Sequence, residues 1–236
     1  MNIAIITAAG KGTRLKSNIS KQFLSLYGKP ILAHTLETFQ EASSIDHIYL
    51  VVSTDYYDFC TKEIIDKYNY KKIKKIIHGG ITRQDSVYNA LVELPGDTQV
   101  VSVHDGVRPL VTTEEVNGII SELFSQNKED SRIKGIIMAA PACETIKKVV
   151  KDDIIDRTIN RDMVWHAQTP QVFFYQIILE AHEKAKKRKI VGTDDASLVE
   201  RLGYRVKIFR GRHENIKITT PMDLFLAELI MREKSK

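Results

Sequence analysis

Short runs of β-branched and aliphatic residues alternate along this chain with longer segments whose apolar residues recur every three or four positions. That alternation constrains the fold more than any other feature. Residues 3–8, apolar but for Thr7, have the length of a buried strand, and residues 31–42 carry helical spacing. The pattern continues with a strand at 47–53, a helix at 59–68, a strand at 73–77 and a helical segment at 85–94. A strand at 99–103, a helix at 113–126 and a buried strand at 133–140 complete it. Strands joined through helices pair in parallel, so this order predicts an α/β fold: a doubly wound, mostly parallel sheet with helices on both faces. Such sheets bind ligands at the carboxyl ends of their strands, which makes the residues just after each strand the ones to read for chemistry.

The regularity breaks at Pro141. Residues 144–150 and 154–161 are two polar, β-prone runs separated by Lys151-Asp152-Asp153, a hairpin pattern with little apolar face to bury. A hairpin this polar needs a partner, either the body of the domain or another subunit. There is no internal repeat and no Pro/Gly/Ser-rich linker, so the 236 residues read as a single domain, 1–236, with an arm at about residues 141–164.

Composition narrows the class. With 43% hydrophobic residues the chain can build a sizeable core, which excludes a disordered polymer. Its longest apolar stretches, such as residues 3–9 and 135–142, fall far below the about 18 residues that a membrane span needs. Met1-Asn2-Ile3 begins neither a basic nor a long apolar signal segment, and Cys60 and Cys143 lack metal or disulfide spacing. The expectation is a cytoplasmic protein that does not engage the membrane. The net charge of +5 gathers in Lys71-Lys72-Ile73-Lys74-Lys75 and at residues 184–189, without interleaved aromatics. Those clusters read as solvated faces rather than a nucleic-acid surface.

Ala8-Ala9-Gly10-Lys11-Gly12-Thr13-Arg14 follows the first strand, and its glycines let backbone N–H groups approach an anion. The spacing is not that of a P-loop, and Leu15 stands where the dinucleotide fingerprint needs its third glycine. Positive charge at Arg14 and Lys21 replaces those features. Gly79-Gly80-Ile81-Thr82-Arg83-Gln84-Asp85-Ser86 again follows a strand and opens a helix; it either holds part of a nucleotide or is a turn in which Asp85 or Ser86 caps the helix. In His104-Asp105-Gly106-Val107-Arg108-Pro109, Asp105 ends a strand and is placed either to hold Mg²⁺ against phosphates or to pair with Arg108. His104 reads as a hydrogen-bonded core residue.

Arg161 and Thr169, in the polar stretch around Trp165, can bind a phosphate, and Trp165 itself reads as packing. Asp194-Asp195 resembles a catalytic pair, but Thr193 before them fits a helix N-cap with acids in the first turn. Lys217, at the end of an apparent strand 215–219, is a better candidate; Thr220, Pro221 and Asp223 then start the final helix.

Taken together, six segments resemble the 2-C-methyl-D-erythritol 4-phosphate cytidylyltransferase family of the non-mevalonate isoprenoid pathway, from Ala8 to about Leu226. They are Ala8-Ala9-Gly10-x-Gly12-x-Arg14 with Lys21-Gln22-Phe23; Gly79-Gly80-x-x-Arg83-x-x-Ser86-Val87; His104-Asp105-x-x-Arg108-Pro109; Trp165-x-Ala167-Gln168-Thr169-Pro170-Gln171; Thr193-Asp194-Asp195-Ala196; and Asn215-Ile216-Lys217-Ile218-Thr219. The resemblance implies a Rossmann-like nucleotidyltransferase, CTP and Mg²⁺, and a homodimer whose hairpin arms are exchanged. It implies transition-state stabilisation by Arg14 and Lys21, CTP binding by Ala8, Ala9, Gly10, Gly12, Gly80, Arg83 and Ser86, and a metal on Asp105. Arg161 and Lys217 would orient the acceptor phosphate, with Arg108, Thr145 and Thr169 binding it. Val107 stands where the family usually has alanine, and Cys143-Glu144 precedes Thr145 where an aspartate is usual.

The reaction so implied is in-line attack of a phosphate oxygen of the acceptor on the α-phosphorus of CTP, with pyrophosphate leaving. It needs positioning and charge stabilisation rather than a covalent nucleophile. The sister family acting on ribitol 5-phosphate usually carries a Gly-Gly start to the first loop and lacks the tryptophan, whereas this chain has Ala8-Ala9 and Trp165. A dinucleotide-dependent oxidoreductase is the remote alternative, disfavoured by Leu15.

Overall fold

Ile3, Ala4, Ile5 and Ile6 are all fully buried, as a strand is when helices cover both faces of its sheet. They belong to β1 (Asn2–Ala8). The computed structural model describes residues 1–10 and 20–234. After β1 come a short antiparallel pair, β2 (Ser25–Leu26) and β3 (Lys29–Pro30), then α1 (Ile31–Glu41), β4 (His47–Val52), α2 (Tyr57–Phe59) and β5 (Ile73–His78). Next are α3 (Arg83–Leu91), β6 (Val100–Asp105), α4 (Thr113–Glu129), β7 (Ile133–Pro141), β8 (Ile146–Val149) and β9 (Ile155–Ile159). The chain closes with β10 (Trp165–Phe174), α5 (Tyr175–Arg188), α6 (Asp195–Glu200), β11 (Arg205–Arg210) and α7 (Pro221–Lys234).

Seven strands form one sheet in the order β11-β7-β10-β6-β1-β4-β5. All run parallel except β10, which is antiparallel to both β6 and β7. The expected mostly parallel α/β sheet is therefore observed. Alternate residues of β1 serve opposite cores. Ala4, Ile6 and Ala8 pack with α1 and α4 residues such as Leu36, Phe39, Ile119 and Leu123, while Ile3 and Ile5 pack with Val87, Ile178 and Val199 from α3, α5 and α6. A third, smaller cluster joins Ala227 of α7 to Leu26, Ile31, Val107, Leu110 and Ile218. From β1 the chain steps outward to β4 and β5, then returns to place β6 on the other side of β1. That reversal opens a crevice at the carboxyl ends of β1 and β6, where a ligand has access to backbone and side chains.

Several sequence expectations change in detail. The helix expected at 59–68 contains a π-helical turn, Cys60–Asp66, preceded by the single α turn of α2. Two strands of the main sheet were not read from the sequence: β10, which lies inside it, and the edge strand β11; nor was the short pair β2 and β3. Residues 215–219 are not a strand; a single backbone bond, Ile218 N–H to Val107 O at 2.9 Å, ties them to the loop after β6.

The hairpin expected after Pro141 is present as β8 and β9, paired only with each other in a separate two-stranded sheet. Val149, Val150, Ile154 and Ile155 near its tip are exposed.

Candidate active site

The end of β1, the loop after β5 and the end of β6 surround a cavity of about 610 Å³. Its described lining includes Ala8, Ala9 and Gly10 from the first loop, Gly79, Gly80 and Arg83 from the second, and Asp105 with Lys21 and Lys217. Gly12 and Arg14 lie outside the described residues. Each wall has a local reason to stand where it does. Gln22 is buried and donates from Nε2 to Ala8 O at 2.7 Å, which fastens the 3₁₀ turn carrying Lys21 to the end of β1. Gly79 lies so close to Ala9 that a Cβ there would collide with the Ala9 methyl, and a Cβ on Gly80 would collide with Asp85. Gly79 is thus what lets the two loops meet, and Gly80 what lets the second loop fold against the start of α3.

The helix α3 starts with a capping box, but its N-cap is Thr82, not Asp85 or Ser86. Asp85 N–H donates to Thr82 Oγ1 at 3.0 Å, and Thr82 N–H donates to an Asp85 carboxylate oxygen at 3.0 Å. Ser86 closes the loop from behind: its hydroxyl accepts from Gly80 N–H at 3.0 Å and donates to Thr82 O at 2.9 Å. At α6 the cap is Asp194, one residue later than the expected Thr193, with Ser197 N–H donating to it at 2.9 Å.

Asp105 is the electrostatic centre. Its Oδ1 accepts from Arg83 Nε at 3.1 Å, its Oδ2 accepts from Lys217 Nζ at 2.8 Å, and Arg108 Nε stands 3.7 Å from the same Oδ2. The sequence offered Arg108 as its ion-pair partner; Arg83 and Lys217 are both closer. Burial pushes the Asp105 carboxyl up, but Arg83, Lys217 and Arg108 outweigh it and hold the group well below the usual carboxylate range. Burial disfavours the charge on Arg83, yet Asp195 and then Asp105 outweigh that, so its guanidinium is held charged.

His104 is fully buried and behaves as the core residue its sequence context suggested. Its Nε2 lies 3.1 Å from Arg108 O and its Nδ1 3.1 Å from Thr169 Oγ1. Burial pushes its pKa down to about 3, so the ring is neutral. An N–H on Nε2 then faces the carbonyl, and Nδ1 accepts from the Thr169 hydroxyl. Thr169 Oγ1 also accepts the Asp105 N–H at 3.0 Å. Thr169 is buried behind Asp105 and steadies its backbone.

Arg108 donates from Nη1 to Asn215 O at 2.7 Å, and Asn215 donates to Thr169 O at 3.0 Å. Those bonds position the segment that carries Lys217. Thr145 and Arg161 are different: both are exposed on the hairpin, and Arg161 Nη1 donates to Cys143 O at 2.8 Å. Neither lines the cavity of its own chain among the described residues; nor do Arg108 and Thr169, which stand directly behind Asp105. Trp165 is half-buried at the start of β10, with the Arg210 guanidinium 5.9 Å from its ring centre.

The sequence reading gave no role to Gln22, to Thr82 as the cap, to Thr7, whose hydroxyl donates to Asp105 Oδ1 at 3.4 Å, or to the Arg83–Asp195 pair. Thr82-x-x-Asp85 has the spacing of a capping box and signalled the cap. Nothing local signals the others, because their partners are distant in sequence.

Asp105 is the sole carboxylate among the described cavity residues, and no group of three or more His, Cys, Asp or Glu among the described residues is arranged to hold a metal. Among the described residues, then, no all-protein cage is formed there. That arrangement fits Mg²⁺, which binds through one or two carboxylates with the remaining positions left to substrate phosphates and water.

The family model for 2-C-methyl-D-erythritol 4-phosphate cytidylyltransferase (IspD) matches residues 2–233. A protein of that name from Geobacter metallireducens is 44% identical over 234 residues, covering 98% of this chain and 97% of its own. One from Clostridioides difficile strain 630 is 42% identical, covering 100% of this chain and 96% of its own. Among solved structures, the 4-diphosphocytidyl-2C-methyl-D-erythritol synthase of Anaerococcus prevotii superposes with a TM-score of 0.85 at 33% identity, over 98% of this chain and 96% of that one. The Francisella tularensis cytidylyltransferase gives 0.77 at 34% identity, over 97% and 98%. With matches that run the length of the chain and a cavity built from the segments that carry the resemblance, this protein belongs to the 2-C-methyl-D-erythritol 4-phosphate cytidylyltransferase family.

Proposed function

We propose that this enzyme transfers CMP from CTP to 2-C-methyl-D-erythritol 4-phosphate, giving 4-diphosphocytidyl-2-C-methyl-D-erythritol and pyrophosphate. The observation that carries it is the cavity between the two glycine-bearing loops, which Lys21, Arg83 and Lys217 face together with Asp105. Two polyanions have to meet there, and cations fixed in advance lower the cost of bringing them together. The family membership favours this acceptor over ribitol 5-phosphate and the transfer over dinucleotide redox chemistry.

In the reaction an oxygen of the acceptor phosphate attacks the α-phosphorus in line. One O–P bond forms, the bond between the α-phosphorus and the bridging oxygen breaks, and the electron pair leaves with pyrophosphate. Arg14 and Lys21 stabilise charge on the α-phosphate. The loop bearing Gly80, Arg83 and Ser86, with Ala8, Ala9, Gly10 and Gly12, holds CTP. Lys217 and Arg161 orient the acceptor phosphate, with Arg108 and Thr145 beside it; Thr169, whose hydroxyl is engaged by His104 and the Asp105 N–H, supports that wall from behind. Asp105 would hold Mg²⁺ jointly with the triphosphate, where the ion when bound neutralises phosphate charge. An oxygen of Asp105 engaged by Lys217 has to be shared or yielded as that happens.

The same proposal makes the protein one domain with a hairpin arm at about residues 141–164, a homodimer through that arm, and a cytoplasmic enzyme. The exposure of Thr145 and Arg161 outside their own chain's cavity supports delivery to a partner's site.

The direct test is pyrophosphate release from CTP with each of the two sugar phosphates in turn. The proposal requires release with the methylerythritol phosphate at a kcat/KM well above that with ribitol 5-phosphate. The reverse preference would overturn the acceptor assignment.

A further inference from the structure

Arg83 reaches out of the first turn of α3 between two carboxylates. Its Nε faces Asp105 at 3.1 Å, and its Nη1 faces Asp195 at 2.8 Å. Asp105 belongs to the cavity wall, while Asp195, the first residue of α6, is almost completely buried behind it. The second oxygen of Asp195 lies 3.1 Å from Nε2 of His182, which is equally buried on α5. A line of paired polar side chains therefore runs inward from the cavity: Lys217, Asp105, Arg83, Asp195, His182.

We propose that Asp195, steadied by His182, is a positioning residue for CTP binding that acts through Arg83. The charge balance argues for it. Three cations converge on Asp105, and that one carboxylate cannot orient them all. Asp195 gives Arg83 a counter-ion of its own at the shorter distance, and one that no solvent screens. A guanidinium is a rigid planar fork, so fixing Nε on one carboxylate and Nη1 on another fixes the plane and the direction of its remaining donors. Those donors are what a triphosphate or a cytidine would meet. Without Asp195, Arg83 is left to share Asp105 with Lys217 and Arg108. Buried ion pairs of this kind add little net stability once desolvation is counted, so the consequence of the pair is where Arg83 stands.

The inference rests on the reading that Arg83 contacts CTP, and a double-mutant cycle separates the two. CTP affinity is measured by calorimetry, without acceptor, for the wild type, Arg83→Ala, Asp195→Asn and the double variant. Each single change is expected to weaken CTP by about tenfold, the lower end of what outer-shell partners contribute. The double variant should bind no more weakly than Arg83→Ala alone. In turnover, Asp195→Asn should raise the CTP KM and leave kcat at saturating CTP near wild type, whereas a mere loss of folded enzyme lowers kcat with KM unchanged. Unchanged affinity in Arg83→Ala would remove Arg83 from the CTP site and this inference with it. Full effects in Arg83→Ala that simply multiply with those of Asp195→Asn would keep Arg83 and overturn the role of Asp195. Should Asp195→Asn not fold, His182→Leu removes the support on Asp195 while leaving the Arg83 pair in place. A smaller rise in CTP Kd, absent on the Arg83→Ala background, is then expected; an equal rise on both backgrounds overturns the proposal.

Discussion

Asp105 combines a buried carboxylate, three neighbouring cations and a place on the cavity wall, so a single substitution tests whether it serves the metal or only the ion pairs. Asp105→Asn keeps the size and removes the charge. Activity at low Mg²⁺ is expected to drop by ~10–100-fold, the scale of losing a metal-supporting group, and to recover in part as Mg²⁺ is raised. A variant with a lowered melting temperature but the Mg²⁺ dependence of the wild type would make Asp105 a purely structural counter-ion. Lys21 and Arg14 are predicted to act on the chemical step instead. Replacing either by alanine should lower kcat by ~10²–10³, as for loss of one preorganised donor, with a smaller change in the acceptor KM. Single-turnover rates with saturating substrates measure this, and a near-normal rate in either variant would withdraw that residue from catalysis. At this scale the sequence was informative about which residues at strand ends line the cavity, as at Ala8 to Gly10, Gly80 and Asp105. Its limit is visible at Asp105 itself. Arg108 is three residues away and was visible as a partner, whereas Lys217 and Arg83 come from other parts of the chain and only the packing of the sheet brings them in.

Among the elements, the helix caps give the cleanest test of local structure independent of the site. The long helix α4 opens with a capping box in which Glu115 N–H donates to Thr112 Oγ1 at 3.3 Å and Thr112 N–H donates to Glu115 Oε2 at 2.9 Å. Thr112→Ala removes one of these bonds and should cost ~1 kcal/mol, with a melting temperature lower by about 2–4 °C and kcat unchanged. Thermal scans and turnover on the same samples measure both; a fall in kcat without a fall in stability would tie α4 to the site in a way the cap does not explain. The strands with continuous apolar runs were legible because burial on both faces leaves no polar positions to confuse the pattern. β10 was not legible, for physical reasons. Gln168, Thr169, Pro170 and Gln171 break any two-residue alternation, and a proline argues against an inner strand. The structure accommodates them because the pairing with β7 shifts register between Ala167 and Gln171, where the proline falls. The buried amides also find distant partners: Gln168 donates to Arg212 O at 2.8 Å and Gln171 to Asp194 at 2.8 Å. Residues 215–219 mislead in the opposite way. Their alternation looks like a strand, but the sheet already ends at β11, and the segment is used to carry Lys217 to Asp105.

For the whole molecule the open element is the hairpin of β8 and β9. Among the described residues it pairs with no other strand, it exposes Val149, Val150, Ile154 and Ile155, and a two-stranded ribbon is at best marginally stable alone. A second copy of the chain would cover it, and in a two-fold dimer each site would combine Lys21 of one chain with Arg161 of the other. Homodimers of Lys21→Ala and of Arg161→Ala should then both be nearly inactive. In a random equal mixture about half the dimers are mixed, and each mixed dimer has one doubly damaged site and one intact site, so activity should return to about a quarter of wild type. Were Arg161 to serve the site of its own chain, every site in a mixed dimer would keep one lesion and no recovery would appear. The measurement is pyrophosphate release after mixing, with differently tagged chains used first to establish that subunits exchange. Recovery that follows the time course of exchange is the decisive result, because two damaged proteins can regain an intact site only by bringing Lys21 and Arg161 together from different chains.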